Sequence, residues 1–422
     1  MHFRIESGRR VSPGVRGVKW GVVIIRVTTT DVAHGGYCVG RDDGMVVFVT
    51  GALPGEVVEA EVTGQKSRLW YARTVTVLTP SPDRVPHIWP LAERTGIGGA
   101  DLGHVSLEAG RRWKASVIQT QLRRLAHRDL AVEVEAAPTD EARSGLAWRT
   151  RLAVRIDESG RPGMYAAKSH RLIPVDGMPL AHEDIQDALK TDIETGFKRE
   201  LAGQGVSYVR SSGSGLMVHV HPPGEPVLGL SRAPVRETVS ARGGTWSYDV
   251  PVDGFWQVHR EAPPVLVDAV LAAAEPVNGP AADLYAGAGL FTLPLAERRR
   301  DGVTAVEASA VAVPCLRRNV REHGVDVYCD DVTAHLRTCE PGAYSLIVAD
   351  PPRSGAGREA VDQMIRIGPD RIVYVACDPA ALARDVNWLG LGGYDLVSLR
   401  AFDLFPMTHH VEAVAVLEPA RR

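Results

Sequence analysis

The sequence predicts an α/β chain whose mostly parallel, doubly wound sheet is preceded by a small β-barrel and a central α+β domain. Three observations carry this. From Pro264 onward, strand-like apolar runs alternate regularly with helical stretches: Ala281–Leu284, Val303–Val306, Val325–Tyr328, Ser345–Ala349, Arg371–Ala376, Leu396–Ala401 and Val411–Leu417. Between Val22 and Val77 the runs are short and β-branched instead, at Val22–Ile25, Met45–Val49, Val57–Val62 and Ala72–Val77, with Gly35-Gly36, Asp42-Asp43-Gly44 and Pro54-Gly55 as turns. The stiff Thr79-Pro80-Ser81-Pro82 segment separates the two styles of sequence.

The elements follow in order. Residues 1–20 are basic, contain glycine and lack periodicity, which predicts a disordered lead-in. Residues 21–80 form the barrel; the first 80 residues hold ten Lys/Arg against seven Asp/Glu, a mildly basic balance that suits an RNA-binding barrel and a plain structural one about equally. Residues 81–260 form the central domain, with helices over Leu107–Leu125 and His182–Leu201 and hairpin strands at Leu152–Ile156 and Leu216–His221. Residues 261–422 form the doubly wound domain.

Composition narrows the class. A chain of 422 residues exceeds a single module, and 48 basic against 51 acidic side chains confine any phosphate contacts to local patches. Cys38, Cys315, Cys329, Cys339 and Cys377 are odd in number and lack CxxC spacing, so neither a disulfide framework nor a zinc site is expected, and reduced thiols fit a cytoplasmic location. No apolar stretch reaches bilayer length and residues 1–19 lack the apolar core of a signal peptide, so no membrane partner is expected.

The first strand of the doubly wound domain runs into Asp283-Leu284-Tyr285-Ala286-Gly287-Ala288-Gly289, where the glycines allow a sharp turn close to a ligand. Glu307 ends the second strand, where a carboxylate can accept ribose hydroxyls. Strand, GxG, helix, strand and terminal acid together predict a nucleoside site. A dinucleotide is less favoured because the loop lacks a third glycine, so S-adenosylmethionine is the better fit.

Asp350-Pro351-Pro352 places a rigid acidic corner after the fourth strand, and Cys377 leaves the fifth immediately before a helix, where backbone amides and the helix dipole favour a thiolate. A cysteine at a strand end is more often inert packing. Enzymes that methylate exocyclic amines often follow the two prolines with a stacking aromatic residue, whereas Arg353 and Ser354 follow here. Amine methylation is therefore the alternative reading.

These motifs, together with Phe255-Trp256-Gln257-Val258-His259, Cys377-Asp378-Pro379 through Asp385, and Asp403-Leu404-Phe405-Pro406 through Glu412, resemble the uracil-5 RNA methyltransferase family nearly end to end. The barrel similarly resembles the TRAM domain, an OB-like RNA-binding module. The resemblance implies a Rossmann-like class I methyltransferase sheet, S-adenosylmethionine as donor, and an RNA partner, ribosomal ahead of transfer RNA, bound by a monomer. It also implies roles: Cys377 as nucleophile toward carbon 6 of uracil, Glu412 as the base removing the carbon 5 proton, and Asp350 and Arg353 positioning the uracil edge and stabilising the enolate. Gln257, Tyr285, Gly287, Gly289, Glu307, Asp331 and Asp350 would line the donor pocket. A catalytically inactive RNA-binding relative is the remaining alternative.

The sequence departs from the family pattern in places. Many members hold an iron–sulfur cluster through central cysteines, but Ile97-Gly98-Gly99-Ala100, His104 and Gly177 occupy that frame, so no cluster is expected and other packing must replace it. Leu290 stands at an often polar position of the donor loop, and Met407 where histidine is frequent.

Overall fold

The computed structural model describes residues 23–166, 169–195, 201–221, 233–252, 254–275 and 277–421. The expected lead-in over residues 1–20 lies outside them, as do residues 196–200 of the expected second helix. Contacts divide the chain into two units: Met1–Asp31 with Cys38–Pro80, and Val32–Tyr37 with Ser81–Arg422.

The first unit is a closed barrel of β1 (Ile24–Ala33), β2 (Tyr37–Asp42), β3 (Met45–Thr50), β4 (Val57–Lys66) and β5 (Leu69–Thr79), ordered β1-β2-β3-β5-β4. Alternation sends Val27, Cys38, Val47, Val49, Val58, Ala60 and Ala72 inward. The β2–β3 turn has positive φ at Asp43 and Gly44, which matches the right-handed twist of the flanking strands. Three register shifts between β4 and β5 bend these long strands enough to close the barrel. Gly40 lets strands cross closely, because a Cβ there would lie 2.2 Å from Val27 Cγ1.

The second unit begins with α1 (Pro90–Thr95), α2 (Leu107–Leu125) and the short β6 (Val134–Ala136). The strands β7 (Arg151–Ile156), β8 (Pro162–Tyr165) and β9 (Leu172–Pro174), the helix α3 (Glu183–Thr195), and β10 (Gly205–Ser211) and β11 (Gly215–His221) follow. They make a sheet ordered β11-β10-β7-β8-β9. Ile185 and Leu189 of α3 share one core with Leu152, Val154, Ile156, Val206 and Tyr208 of that sheet. A separate hairpin, β12 (Val235–Ala241) and β13 (Gly244–Val250), leads into α4 (Ala262–Ala274).

The remaining elements alternate: β14 (Ala281–Leu284), α5 (Thr292–Arg298), β15 (Val303–Glu307), α6 (Val313–Asn319), β16 (Asp326–Cys329), α7 (Val332–Thr338), β17 (Leu346–Ala349), α8 (Arg358–Ile367), β18 (Arg371–Ala376), α9 (Pro379–Leu391), β19 (Tyr394–Asp403) and β20 (Glu412–Pro419). Their sheet has the order β16-β15-β14-β17-β18-β20-β19-β6. Successive residues of the central strands enter two different cores, as Ile347 and Ala349 do on one face and Leu346 and Val348 on the other, because helices cover both faces. β20 alone runs antiparallel to its neighbours.

Two pieces of the stretch read from sequence as the central domain belong to this sheet. β6 pairs in parallel with β19, and Ile118 and Leu122 of α2 join the core beneath β14, β17 and β18. Lys114 of α2 is buried against Asp403 at the end of β19 and also donates to the Phe405 carbonyl at 3.0 Å. That buried pair fixes the loop leading to Glu412.

The frame expected to replace a cluster is filled by carbon. Ile97, Ala100 and Met178 are buried together, and a Cβ on Gly99 would lie 3.0 Å from the Met178 Cε. With no thiol at these positions, the residues present do not fit an iron–sulfur cluster. The loop docks through Leu102 N–H to the Met407 carbonyl at 2.9 Å and through Asp101 Oδ2, which accepts from His409 N at 3.1 Å. Met407, at φ 64°, turns its side chain into that core. Leu290 is likewise a core residue, its carbonyl accepting from the Tyr248 hydroxyl at 3.1 Å. No helix among the described residues is long and apolar enough to cross a membrane.

Candidate active site

In the large sheet, the carboxyl ends of β14, β15, β17 and β18 share one edge, and strand order reverses between β14 and β17. A crevice at such a reversal is where an open α/β sheet holds ligands. Because β20 is antiparallel, its first residue lies at that same edge. Ala376 pairs with Ala413, so the next residues outward, Cys377 and Glu412, face each other across adjacent strands.

Cys377 is half-buried, and its thiol is pushed up to about 12 by burial and by the charges of Glu412 and Asp350, with Arg353 opposing. The expected support from the helix start is absent: Asp378 caps α9 and its Oδ1 takes the Ala380 and Ala381 amides at 3.0 and 2.8 Å. The free protein therefore holds a thiol at neutral pH. Glu412 is 5 % exposed and held well above the ordinary carboxylate range by burial and Asp350, again opposed by Arg353. Burial also raises Asp350 to about 7. Neither carboxyl group, nor the exposed Arg353 guanidinium, has a side-chain hydrogen-bond partner among the described residues. Their polar atoms remain available to a ligand.

The loop carrying Asp350 and Arg353 is locked from beneath. Asp385 of α9 is fully buried; its Oδ2 accepts from Ala356 N at 2.8 Å and from the Tyr374 hydroxyl at 2.5 Å. Its Oδ1 pairs with Arg384, which donates onward to the Ser354 carbonyl at 2.7 Å. Thus the helix that begins beside Cys377 also holds the end of the Asp350–Ala356 loop. Sequence reasoning quoted Arg384 and Asp385 as motif residues without a task; their packing reveals it.

The donor loop departs from β14 through Tyr285, at φ 63°, and Gly287, at φ 57°. Left-handed backbone is costly for tyrosine and easy for glycine. Gly287 N–H donates to Glu307 Oε2 at 2.8 Å, and Ser309 N–H donates to Oε1 at 2.6 Å, so both oxygens of Glu307 are oriented by backbone. A Cβ on Gly287 would meet nothing within 4 Å, whereas one on Gly289 would lie 2.8 Å from Leu316 Cδ1. Gly287 thus faces open space and Gly289 serves packing. Beneath the loop, Asp283 is fully buried, accepts from the Thr292 hydroxyl, and keeps its Oδ1 without a hydrogen-bond partner. Burial, with the nearby charges of Asp350 and Glu307, raises it to about 7. An orphaned acceptor beside an open glycine turn and a fixed carboxylate fits a nucleoside bearing an amino group.

Asp331 caps α7, accepting from Ala334 N at 3.0 Å, and its charge reaches the Tyr285 hydroxyl. Gln257 is buried on the loop between β13 and α4, with no hydrogen bond tying it to the donor loop. Its flanks are fixed: Thr150 N–H donates to Val258 O at 2.7 Å, and His259 Nε2 lies 3.1 Å from Asp140 in a buried pair. His259 Nδ1 also accepts from Glu261 N at 3.0 Å, which fixes the ring from its other side. Two residues before Gln257, Phe255 is 74 % exposed.

Residues 338–420 match the tRNA (uracil-5-)-methyltransferase model, residues 23–75 the TRAM domain and residues 262–372 the methyltransferase small domain. A relative from Bifidobacterium longum named as an uncharacterized RNA methyltransferase is 39 % identical, covering 91 % of this chain and 94 % of its own length. One from Streptomyces avermitilis is also 39 % identical, covering 93 % and 97 %. The crystal structure of Pyrococcus abyssi tRNA (uracil-54, C5)-methyltransferase with S-adenosyl-L-homocysteine shares the fold at a TM-score of 0.68 and 22 % identity, over 93 % of this chain and 99 % of that one. Matched over nearly its whole length by RNA methyltransferases, and over residues 338–420 by the tRNA (uracil-5-)-methyltransferase model, the chain belongs to the uracil-5 RNA methyltransferase family.

Proposed function

We propose that this protein methylates carbon 5 of a uridine in RNA through a covalent bond between Cys377 and carbon 6. The observation that carries the reading is the pairing of β18 with β20, which sets Cys377 opposite Glu412 beside Asp350 and Arg353. S-adenosylmethionine supplies an electrophilic methyl group on a cationic sulfonium. Asp283, Tyr285, Gly287, Glu307, Asp331 and Gln257 are the residues that would hold it.

Carbon 5 of uracil is too weak a nucleophile to take a methyl group unaided. Cys377 solves this by giving up its thiol proton to water and adding Sγ as thiolate to carbon 6, which shifts the ring's double-bond electrons toward carbon 5 and O4. Arg353 stabilises the resulting enolate charge, and Asp350 orients the base edge. After carbon 5 has gained the methyl group, Glu412 takes the remaining carbon 5 proton as a carboxylate, having first released its own proton to water, a loss that the nearby Arg353 charge favours. The electrons of that C–H bond restore the ring double bond as the Cys377 sulfur leaves, giving 5-methyluridine and free enzyme. The exposed Phe255 ring offers a face on which a base drawn out of the RNA can stack.

Ribosomal RNA ranks ahead of transfer RNA as substrate in this reading, and a monomer suffices, because all the proposed groups lie in one chain. Incubation of wild type and Cys377→Ala with methyl-labelled S-adenosylmethionine and unmodified ribosomal and transfer RNA tests it. Label in 5-methyluridine from wild type alone is the expected result. Label in methylated adenosine or guanosine that survives the substitution would establish amine methylation instead, and no label from either pool would favour an inactive RNA-binding relative.

A further inference from the structure

Arg149 is a cation that the proposed reaction leaves without a task. Its backbone is held on both sides, by its N–H to Leu180 O and its C=O from His182 N, each at 2.8 Å. Its guanidinium lies 5.8 Å from the Trp148 ring centroid, and its Nε donates to the Arg151 carbonyl at 2.9 Å. The two terminal nitrogens have no acceptor among the described residues, and no carboxylate pairs with them. The side chain is nonetheless largely withdrawn from water, and Arg353 is near enough to repel it; both effects push its pKa down.

The setting is the junction of two loops already placed at the site. Trp148 stacks on His259 of the Gln257 loop at 5.5 Å and meets Phe405 edge-on at 6.1 Å, and Phe405 in turn meets His410 at 5.8 Å. Thr150, the next residue, bonds Val258. A rigidly mounted, half-buried guanidinium within electrostatic reach of a second cation is unfavourable in the free protein. An entering anion relieves both charges at once, and the free fork of two terminal nitrogens matches two oxygens of one tetrahedral group.

We propose that Arg149 is a phosphate-binding residue, which grips with its free fork an RNA phosphodiester adjoining the target uridine, opposite Arg353. The proposal rests on the uridine reading above for the identity of that nucleotide. Binding of unmodified ribosomal and transfer RNA to full-length wild type, Arg149→Met and Arg149→Lys over a range of salt concentrations tests it, together with calorimetry of S-adenosyl-L-homocysteine binding and single-turnover methylation.

For Arg149→Met the RNA dissociation constant should rise by about tenfold and the log–log salt slope should fall by about 0.7, the value for one phosphate contact on a single strand. Arg149→Lys should keep the wild-type slope with weaker binding, homocysteine-product affinity should stay unchanged, and the rate at saturating RNA should change less than about threefold. Melting curves identify the folded variants; Arg149→Lys keeps the comparison open if Arg149→Met unfolds.

An unchanged dissociation constant and slope would overturn the proposal, as would a loss confined to the single-turnover rate, which would place Arg149 on the enolate. Weakened homocysteine-product binding would instead assign it to the donor carboxylate. Wild type that forms 5-methyluridine while Arg149→Met matches its salt dependence removes only the phosphate assignment. Wild type that binds RNA without forming 5-methyluridine removes the uridine reading, and the salt slope then still decides the phosphate contact; wild type that binds no RNA overturns both.

Discussion

Asp283→Asn should stabilise the protein at alkaline pH while weakening donor binding. Asp283 is fully buried, its Oδ1 lacks a hydrogen-bond partner, and its carboxyl stands at about 7 against an ordinary 3.8. Below 3.8 it is protonated in both folded and unfolded chains, so it costs nothing. As pH rises from there through about 7, the unfolded chain ionises first and stability is lost; above 7 the whole penalty, about 4 kcal/mol, is in place. The asparagine keeps the shape and removes the charge. Its gain should therefore be about 4 kcal/mol at pH 8 and about 2 kcal/mol at pH 5. For a unit the size of Ser81–Arg422 the larger figure raises the melting midpoint by about 5 °C. Thermal melts of both proteins at the two pH values measure the difference, and S-adenosyl-L-homocysteine calorimetry should show about tenfold weaker binding. A gain independent of pH, or destabilisation at pH 8, would refute the reasoning.

Three further outcomes follow from the same geometry. Glu412→Gln should accumulate a methyl-labelled protein–RNA adduct that resists denaturing electrophoresis, absent from Cys377→Ala/Glu412→Gln; normal turnover would remove Glu412 from the role of base. Alkylation of Cys377 by iodoacetamide, read by peptide mass, should keep rising about tenfold per pH unit from pH 7 beyond pH 9, because its thiol stands at about 12; a plateau below pH 9 would contradict the buried, anion-flanked setting. Lys114→Met should destabilise by about 3–5 kcal/mol by stranding buried Asp403, and Lys114→Met/Asp403→Leu should recover most of that in denaturant melts. Equal losses in the single and double variants would show that apolar packing, not charge, dominates there.

The sheet was legible where short, mostly apolar runs are bounded by loops, since a strand buried on both faces allows little else: Ala281–Leu284 and Arg371–Ala376 have the bounds expected from sequence. Glu307, Asp350 and Cys377 were legible for the same reason, each being the first reactive group past such a run or its last residue. β12 was missed because Glu237 occupies an inward position of an otherwise alternating strand; it is buried only because it accepts from Ser212 N and Oγ, at 2.9 and 2.7 Å, on a distant hairpin. β6 has three residues and exists through its pairing with β19, more than 260 positions away. The thiol's elevation was unreadable because it comes first from burial and then from Glu412 and Asp350, which only the fold brings to Cys377, while Asp378, quoted in the motif as its neighbour, occupies the helix-start amides. Arg149 carried no pattern at all. Its significance is that its two terminal nitrogens find no acceptor among the described residues, which only three dimensions can reveal.

The antiparallel course of β20 makes the separation of sulfur and carboxyl a matter of register, not of loop conformation. Lengthening the connection across residues 404–411 would leave Ala376 opposite Ala413, whereas removing one residue within β20 would turn its acid to the other face of the sheet. Natural variation in this chain's relatives should therefore tolerate insertions before the acid and almost none after it, so that the spacing from Glu412 to the end of its strand is a stricter mark of an active enzyme than the spacing from Cys377 to Glu412.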